Sequence, residues 1–349
     1  MHVIIPVAGF GTRLRPQTYT KPKPLVNVAG KPILGHILDR LAGLDLERVV
    51  FVVGYLGEQI RDYVESNYDL PTRYVEQKEL LGQAHAIGLT REHIRGPVLI
   101  AFVDTIFETN LHELGQIRGD GVIYVKEVED PRRFGVVTVV DGHIRRFVEK
   151  PSQPISNLAV IGLYYVRPYQ QLFERIEELQ QRNLRTEGEY YLADAFQLMV
   201  DRGTRLEARA VDVWQDCGTP DSILSANRYL LERNVYNSIR PDGCIVTPPA
   251  FIAPDADVRS SVLGPYVYIG SKSRVQGSIV GPYVSVAAGG CIEQSIVRDS
   301  IVNEQAQITS AQLSHSLVGQ YAHLRGSFQR FNVGDSSEID STSSATGDV

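Results

Sequence analysis

The sequence feature that most constrains the fold is a run of evenly spaced aliphatic residues in the C-terminal third of the chain. The tetrapeptide GPYV occurs at Gly264 to Val267 and again at Gly281 to Val284, 17 residues later, which is close to three six-residue steps. This spacing predicts a triangular β-helix, in which each coil buries one aliphatic residue per side and must stack on its neighbours to form a core. The residues that recur at steps of five or six are Ile252, Val258, Leu263, Ile269, Val275, Val280, Val286, Ile292, Val297, Val302, Ile308, Leu313, Val318 and Leu324.

A β-sandwich with turn-rich strands is the alternative for this region. Because a sandwich needs no fixed residue spacing, the regular step favours the β-helix. We expect an all-β, left-handed parallel β-helix of hexapeptide repeats over residues 245–326, which is enough chain for four or five coils. The residues after it, 327–349, are rich in Ser, Thr, Asp and Gly from position 334 onwards, and this composition predicts a mobile C-terminal tail.

Residues 1–236 show a different pattern, in which short β-branched runs alternate with longer amphipathic stretches. Strand-length runs separated by helix-length segments predict a Rossmann-like α/β domain with a mixed, mainly parallel sheet covered by helices. In such sheets, ligands bind at the carboxyl ends of the strands. The clearest pairs of strand and helix are His2 to Val7 with Ile33 to Leu44, Val49 to Val53 with Glu58 to Val64, and Val98 to Phe102 with Leu111 to Ile117.

Charge, hydropathy and cysteine content exclude several classes of protein. The formal net charge is -6 and no Lys/Arg-rich run is present, so we expect no nucleic-acid partner. No stretch approaches the roughly 20 apolar residues that span a bilayer, and the N-terminus has no basic leader with a cleavage site, so we expect no membrane partner and a cytoplasmic location. Cys217, Cys244 and Cys291 are far apart and odd in number, which supports neither a disulfide framework nor a CxxC metal site.

A glycine-rich turn, AGFGTRLRP from Ala8 to Pro16, follows the first predicted strand directly. Its glycines allow backbone N–H groups to approach phosphate oxygens. It is not a dinucleotide fingerprint, because Leu14 replaces the third glycine, and it is not a Walker loop, because no GK[ST] follows. The cations of the next segment, TKPKPL, lie on a proline-stiffened backbone and suit a triphosphate, since Arg can bind two oxygens at once and Lys supplies a compact charge.

The string GFGTRLRPQTYTKPKPL, residues 9–25, resembles the signature of the sugar nucleotidyltransferase family, which reads G-x-G-T-R-L, then P-x-T, then P-K-P-L. The similarity continues to about residue 236. It implies an enzyme that joins a hexose 1-phosphate to a nucleoside triphosphate with loss of pyrophosphate. In the family, the residue that matches Arg13 contacts the phosphates that leave as pyrophosphate, and the residue that matches Lys23 neutralises charge near the α-phosphate.

The resemblance also implies Mg²⁺ as the cofactor, bound by Asp104 at the end of LIAFVD and by Asp216 in VDVWQDCGTP. Magnesium takes one or two carboxylates and completes its shell with phosphate oxygens and water. Thr219 and Pro220 predict the N-cap and first residue of a helix, so the turn before them should aim Asp216 inward. The residues matched to nucleotide binding are Ala8, Gly9, Gly11, Thr12, Gln77 and Gly82, of which the last two match positions that read the pyrimidine edge.

The EKP motif at residues 149–151 would, in isolation, be an exposed charge pair at the end of a strand. In the family, its glutamate accepts hydrogen bonds from sugar hydroxyls and its lysine holds the sugar phosphate. Trp214, the single tryptophan, suits the wall of a pocket and the core equally well. The residues matched to the sugar phosphate are Gly135, Glu149, Lys150, Asn157, Gly162, Glu189 and Trp214.

The implied chemistry is in-line attack by the phosphate of the sugar on the α-phosphorus of the triphosphate, with catalysis by positioning and charge stabilisation. The long type of glucose-1-phosphate thymidylyltransferase, which uses dTTP and carries a β-helix, gives the closest resemblance. UTP in place of dTTP, and N-acetylglucosamine 1-phosphate in place of glucose 1-phosphate, are the alternative substrates.

Two other functions remain as alternatives. One makes the β-helix an acyltransferase that would use His315 or His323, as in bifunctional uridylyltransferases. The other is a non-catalytic nucleotide-sugar sensor, which the loss of Arg13, Lys23 or either aspartate would have favoured. Because a short coil stack leaves flat faces and an open end, we expect a homo-oligomer that assembles through the β-helix.

Overall fold

The computed structural model describes residues 1–153, 155–233, 236–237 and 239–326. The predicted tail at 327–349 lies outside the described residues. Within the described ranges, no helix is long and apolar enough to cross a membrane.

The first domain alternates strands with helices, as its sequence pattern predicts. Its helices are α1 Ile33–Leu41, α2 Gly57–Asn67, α3 Gln83–Gly88, α4 Tyr169–Gln181, α5 Leu192–Asp201 and α6 Pro220–Arg233. Its strands are β1 His2–Pro6, β2 Asn27–Val28, β3 Lys31–Pro32, β4 Arg48–Val53, β5 Thr72–Glu76, β6 Val98–Ala101, β7 Thr105–Glu108, β8 Gly121–Glu127, β9 Val136–Val140, β10 His143–Val148, β11 Leu158–Val166, β12 Leu206–Ala210 and β13 Val213–Asp216.

Nine of these strands form one mixed sheet in the order β5-β4-β1-β6-β11-β8-β12-β10-β9. The four strands from β5 to β6 are parallel, whereas β11 runs antiparallel to both of its neighbours, β6 and β8. The prediction of a mixed α/β sheet is confirmed. The segment expected to form a helix from Leu111 to Ile117 is a 3₁₀ helix, Leu111–Gln116, because its buried Leu111 and Leu114 are three residues apart and share a face at three residues per turn.

Hydrophobic cores cover both faces of this sheet. Along β1, Val3 and Ile5 belong to one core and Ile4 to the other, since neighbouring side chains of a strand point to opposite faces. The first core packs against α1 and α6, and the second packs against α4 and α5. The buried residues of α1 lie on one helical face at spacings of three and four, namely Ile33, Leu34, Ile37, Leu38 and Leu41.

The second domain is a parallel β-helix whose coils stack strand upon strand in three faces. Register partners are 17 residues apart in the first coils, as in Ile245 and Val262, and 16 apart in the last coils, as in Ile296 and Gln312. All fourteen evenly spaced aliphatic residues lie in or against one core. The β-helix prediction is therefore confirmed over the β-sandwich, while its left hand stays a prediction. The strands are β14 Ile245–Val246, β15 Ala250–Ile252, β16 Asp257–Arg259, β17 Val262–Leu263, β18 Val267–Ile269, β19 Arg274–Gln276, β20 Ile279–Val280, β21 Val284–Val286, β22 Cys291–Glu293, β23 Ile296–Val302, β24 Gln307–Thr309, β25 Gln312–Val318 and β26 His323–Arg325.

The two domains share a packed interface. The tyrosines of the repeated GPYV motif, Tyr266 and Tyr283, stack with ring centroids 4.9 Å apart, and the Tyr283 hydroxyl donates to Glu232 Oε1 on α6 at 3.0 Å. Ile301 of the β-helix belongs to the core of the first domain. A Cβ on Gly30 would lie 2.3 Å from the ring of Tyr268, so only glycine fits there. The repeat thus builds the contact between the domains as well as the coils.

Candidate active site

A cleft of about 370 Å³ opens at the carboxyl ends of β1, β5 and β6. Its walls come from segments that are distant in sequence: the glycine-rich loop, the Lys23-Pro24 turn, the loop after β5, the end of β6, Glu189 and Gly218. This position is where ligands bind in open α/β sheets. Ten of the predicted site residues line it, namely Ala8, Gly9, Gly11, Thr12, Arg13, Lys23, Gln77, Gly82, Asp104 and Glu189.

The glycine-rich loop folds back onto the lysine segment because of Gly11. Its φ of 62° lies in the left-handed region, and a Cβ there would lie 2.9 Å from Cβ of Lys23. The Thr18 hydroxyl donates to the Gly11 carbonyl at 2.8 Å, and the buried Leu14 anchors the following turn in the core. Arg13 and Lys23 therefore reach the same cleft.

The two predicted metal ligands become neighbours through a short antiparallel ribbon. Strands β7 and β13 pair so that Thr105, the residue after Asp104, lies opposite Asp216. Cys217 N donates to the Asp104 carbonyl at 2.8 Å and holds the two turns together. As expected, Thr219 caps α6, which begins at Pro220.

Four charged side chains meet around this ribbon. Lys23 Nζ lies 3.6 Å from Asp104 Oδ2. A Cβ on Gly218 would lie 2.9 Å from Asp216 Oδ1 and 3.1 Å from Arg13 Nη2, and Gly218 N donates to Asp216 Oδ1 at 3.1 Å. Gly218 lines the cleft, so Asp216 and Arg13 flank the same wall. Arg13, Lys23 and Asp104 thus line one cavity, and Asp216 lies directly behind its Gly218 wall; the roles of all four stay predictions.

This end of the cleft fits Mg²⁺ that arrives with a triphosphate. In the described part of the chain, no group of three or more His, Cys, Asp or Glu side chains could hold a metal by itself. Asp104 and Asp216 supply two hard oxygen donors, which suffices for a magnesium ion that takes its remaining ligands from phosphate and water. Arg13 and Lys23 bring the positive charge that the triphosphate needs.

The other end of the cleft carries no cation among the described residues, and its one charged side chain is Glu189. Gln77 follows β5 directly, is buried, and donates from Nε2 to the Gly82 carbonyl at 3.2 Å. Gly82 has a φ of 107°, and a Cβ there would lie 2.7 Å from the backbone N and O of Tyr190. Tyr190 N donates to the Leu81 carbonyl at 2.9 Å, and this contact brings the neighbouring Glu189 into the cleft.

The residues matched to the sugar phosphate form a second group beside the cleft, of which Glu189 alone lines it. The carboxylate of Glu149 lies close to Gly135, since its Oε2 would be 2.8 Å from a Cβ at that position. Gly162 accepts a backbone hydrogen bond from Phe102, a cleft residue, at 2.9 Å. The group also includes Asn157, whose carbonyl accepts from Val128 N, and Trp214, which packs edge-on against Phe134 at 5.0 Å and against the first core.

An acidic cluster surrounds Glu149. Burial raises the pKa of Glu149 to about 7; Lys150 opposes the shift, and the charges of Asp194, Glu187 and Glu189 add to it. Lys150 Nζ lies 3.0 Å from the Tyr191 hydroxyl, and this hydrogen bond raises the pKa of Lys150. A cation therefore stands beside a carboxyl group that gains or loses its proton near neutral pH.

Cys217 and His315 lie in structural surroundings. All three cysteines lie in the described residues without a disulfide, and burial raises the pKa of the Cys217 thiol, which stays protonated. His315 Nδ1 lies 2.9 Å from Asp299 Oδ2 and its Nε2 lies 3.1 Å from Asp221 Oδ1. Because both ring nitrogens are engaged, His315 serves as a contact between the β-helix and α6.

Sequence reasoning missed His85, whose Nδ1 lies 3.0 Å from Gln77 Nε2. The signal was available, since GQAHAI places this histidine one helical turn after Gly82, on α3. It also missed Gly218, whose lack of a side chain makes room for Arg13 beside Asp216.

Comparison with known proteins agrees with this geometry. Residues 2–233 match the nucleotidyl transferase family, and residues 226–315 match a family described as GlmU-like, C-terminal hexapeptide. The UTP–glucose-1-phosphate uridylyltransferase AglF of Haloferax volcanii is 36% identical over 241 residues, which cover 66% of this chain and 97% of that protein.

Two further likenesses concern the first domain. The bifunctional protein GlmU of Methanocaldococcus jannaschii is 35% identical over 234 residues, which cover 67% of this chain and 55% of that protein's length. A structure of UDP-glucose pyrophosphorylase complexed with UDP-glucose superposes with a TM-score of 0.60 at 25% identity, over 67% of this chain and 99% of that one. The resemblance drawn from residues 9–25 is confirmed. The chain belongs to the nucleotidyl transferase family and is a nucleotidyltransferase that carries a GlmU-like hexapeptide domain.

Proposed function

We propose that the chain is a hexose-1-phosphate nucleotidyltransferase that joins glucose 1-phosphate to a pyrimidine nucleoside triphosphate and releases pyrophosphate. The division of the cleft carries this proposal. One end holds two cations and Asp104, with Asp216 directly behind its Gly218 wall, as a metal-bound triphosphate requires, and the other end holds a buried amide and exposed backbone, as a base requires.

The reaction needs no protein nucleophile, since the attacking oxygen belongs to the sugar phosphate. Arg13 and Lys23 bind the triphosphate and stabilise charge on it, and the glycine-rich loop lets its backbone approach the phosphates. Asp104 and Asp216 would hold Mg²⁺, which supplies Lewis-acid charge stabilisation when bound. Lys150 would pair with the sugar phosphate and Glu149 would accept from sugar hydroxyls, so that the two substrates are held in line.

We propose dTTP as the triphosphate, because the sequence most resembles the long type of glucose-1-phosphate thymidylyltransferase. The similarity to AglF, named as a UTP–glucose-1-phosphate uridylyltransferase, favours UTP as the second candidate. The two bases differ by one methyl group, which a hydrophobic pocket discriminates by only about 10- to 200-fold.

Pyrophosphate release, measured with four triphosphates against glucose 1-phosphate and N-acetylglucosamine 1-phosphate, tests the proposal. We expect turnover with Mg²⁺ and glucose 1-phosphate to be highest with dTTP or UTP. The absence of pyrophosphate with every pair would refute the transferase activity, and a preference for a purine triphosphate would refute the choice of base.

Self-association through the β-helix is the second part of the proposal. One outward-facing row of the β-helix consists of register partners from successive coils, namely Ile245, Val262, Ile279 and Ile296. The side chains of three of them are exposed: Ile245 by 66%, Ile279 by 47% and Ile296 by 37%. A flat aliphatic ladder of this kind can pair with its copy about a two-fold axis. We expect a homo-oligomer in sedimentation equilibrium, and Ile279→Arg should dissociate it without loss of fold. An unchanged mass for that variant would remove this face from consideration.

A further inference from the structure

The orientation of the Gln77 side-chain amide is fixed by its neighbours. The Gly82 carbonyl can only accept a hydrogen bond, so the amide end that lies 3.2 Å from it is the Nε2 donor. His85 Nδ1 lies 3.0 Å from the same nitrogen and must therefore accept as well. This arrangement selects the neutral tautomer of His85 with its proton on Nε2.

Both donors of the Gln77 amide are thus used by the protein, and its acceptor is left for a ligand. Gln77 lines the cleft, and among the described residues its Oε1 has no hydrogen-bond partner. His85 does not line the cleft; it lies on α3, behind the amide. The cleft therefore meets a carbonyl oxygen at this position, and a residue outside the cleft keeps it there.

The edges of the pyrimidine bases differ in what they offer to such an oxygen. Uracil and thymine carry an N–H at N3 between two carbonyl groups, whereas cytosine carries a bare nitrogen acceptor at N3. An acceptor that faces N3 pairs with the first two bases and opposes the third. If the amide rotated by half a turn, its NH₂ group would face the base and the preference would reverse.

We infer that His85 is a positioning residue for base selection: by accepting from Gln77 Nε2, it keeps Gln77 Oε1 towards the base and favours uracil or thymine over cytosine. The inference rests on the proposed function, in which this end of the cleft binds the base. It goes beyond that function in assigning selectivity to a side chain that does not touch the nucleotide.

Protonation of His85 supplies a readout that a purely structural role would lack. Burial lowers the pKa of His85, while the charge and the backbone carbonyl of Glu79 oppose that shift, so the ring is neutral at pH 7. When His85 is protonated, Nδ1 becomes a donor that faces the Gln77 NH₂ group. The hydrogen bond that held the amide in this orientation is then lost. The selectivity should therefore fall in acid.

Two substitutions distinguish the effect of the hydrogen-bond acceptor of His85 from the effect of its side-chain volume. His85→Asn places Oδ1 near the position of Nδ1, so it keeps an acceptor that does not titrate. His85→Leu keeps similar bulk without an acceptor. His112→Leu is the matched control, because this exposed histidine does not line the cleft.

The test is the ratio of kcat/KM for UTP to that for CTP, measured from pH 5.5 to 8.5 with saturating sugar phosphate. Because both substrates carry the same triphosphate, its own titration cancels in the ratio. We expect His85→Leu to lower the ratio about 10-fold at pH 7.5, as the loss of one oriented hydrogen bond would. His85→Asn should keep the ratio at every pH, and the wild-type ratio should fall towards the acid end of the range.

Equal ratios for wild type and a folded His85→Leu variant would overturn the inference, as would equal losses in the Leu and Asn variants or a wild-type ratio that rises as the pH falls. If no triphosphate is turned over, the proposed function fails first. Calorimetric binding of UMP and CMP to wild type, His85→Leu and His85→Asn would then still test the role of His85, because it needs no turnover. We expect the preference for UMP to be lost in His85→Leu alone.

Discussion

Lys23 and Asp104 show how single residues balance charge in the cleft. Their side chains approach to 3.6 Å, and the lysine is much the more buried of the two, at 14% against 49% exposure. A bound metal would compete with Lys23 for the carboxylate and release the ammonium group towards the phosphates. The pair thus keeps both groups in place before the substrates arrive.

Replacing Asp104 by Asn should lower the rate of pyrophosphate release at saturating Mg²⁺ by at least about 100-fold, because a charge-stabilising group is lost. The half-exposed side chain contributes little to the core, so circular dichroism should be unchanged. Asp212→Asn is the control, since Asp212 is exposed on the segment that carries Asp216. Wild-type turnover in the Asp104 variant would contradict the metal assignment.

Glu149 should reduce stability at the pH where the site works. Its pKa is raised from 4.5 to about 7, so the native state binds the proton more tightly than the unfolded state between these values, and the free energy of unfolding falls as pH rises through that window. Glu149→Gln should therefore raise the melting temperature at pH 8, by the equivalent of about 3 kcal/mol, and leave it unchanged at pH 4.5. A gain of equal size at both pH values would show that burial of the charge is not the cause.

The sequence predicts residues of the cleft better than it predicts their partners. The roles of Asp104 and Asp216 came from the family resemblance, since nothing local to either residue indicates that β7 and β13 pair. Gln77 and His85 are only eight positions apart, but their hydrogen bond depends on the orientation of the Gln77 side-chain amide. Such contacts depend on tertiary structure that residue spacing does not contain.

At the level of elements, periodicity predicted the class of each half, but it did not identify which strand of the mixed sheet reverses direction. Alternating strand and helix signals indicate parallel strands, yet β11 pairs antiparallel with β6 and β8. Pairing partners in a sheet are set by contacts between distant segments, which local pattern does not encode. The strand pairing of the β-helix was easier to predict, because each strand pairs with the strand one coil away in the sequence.

Helix α6 couples the elements through Asn227, which is fully buried. Its Oδ1 accepts from Ala29 N at 2.9 Å and from the Ser285 hydroxyl at 2.8 Å, so one amide joins three segments. Asn227→Ala removes this acceptor and should destabilise the protein by about 1–3 kcal/mol, seen as a lower melting temperature. Ser285→Ala, which removes one of the two donors, should cost less. An equal loss in both variants would mean that the hydrogen bond from Ser285 accounts for the whole effect and the one from Ala29 N contributes nothing.

Across the whole molecule, the β-helix supports the segment that carries the family signature. Glu304 accepts from Lys21 Nζ at 2.5 Å and from Asn27 Nδ2 at 2.7 Å, and both partners are buried. Lys21 is two residues from Lys23, so this contact supports the turn that carries Lys23 into the cleft.

Glu304→Ala should lower stability by about 2 kcal/mol, because it leaves a buried ammonium group without its carboxylate. It should also lower kcat/KM for the triphosphate several-fold, although Glu304 does not line the cleft. Glu293→Ala, on the β-helix away from this interface, is the control and should change neither quantity. Normal kinetics in the destabilised Glu304 variant would show that the support is structural alone.

Contacts from the last coils restrict how this chain can vary in length. Glu304 and the Leu317 carbonyl, which accepts from Gln17 Nε2 at 3.0 Å, reach the signature segment from adjacent layers. Neighbouring strands are about 4.8 Å apart, so removing or inserting one coil would shift Glu304 out of reach of Lys21. Free-standing solenoids gain and lose repeats readily. Here the number of layers in the stack is tied to the position of the segment that carries the family signature.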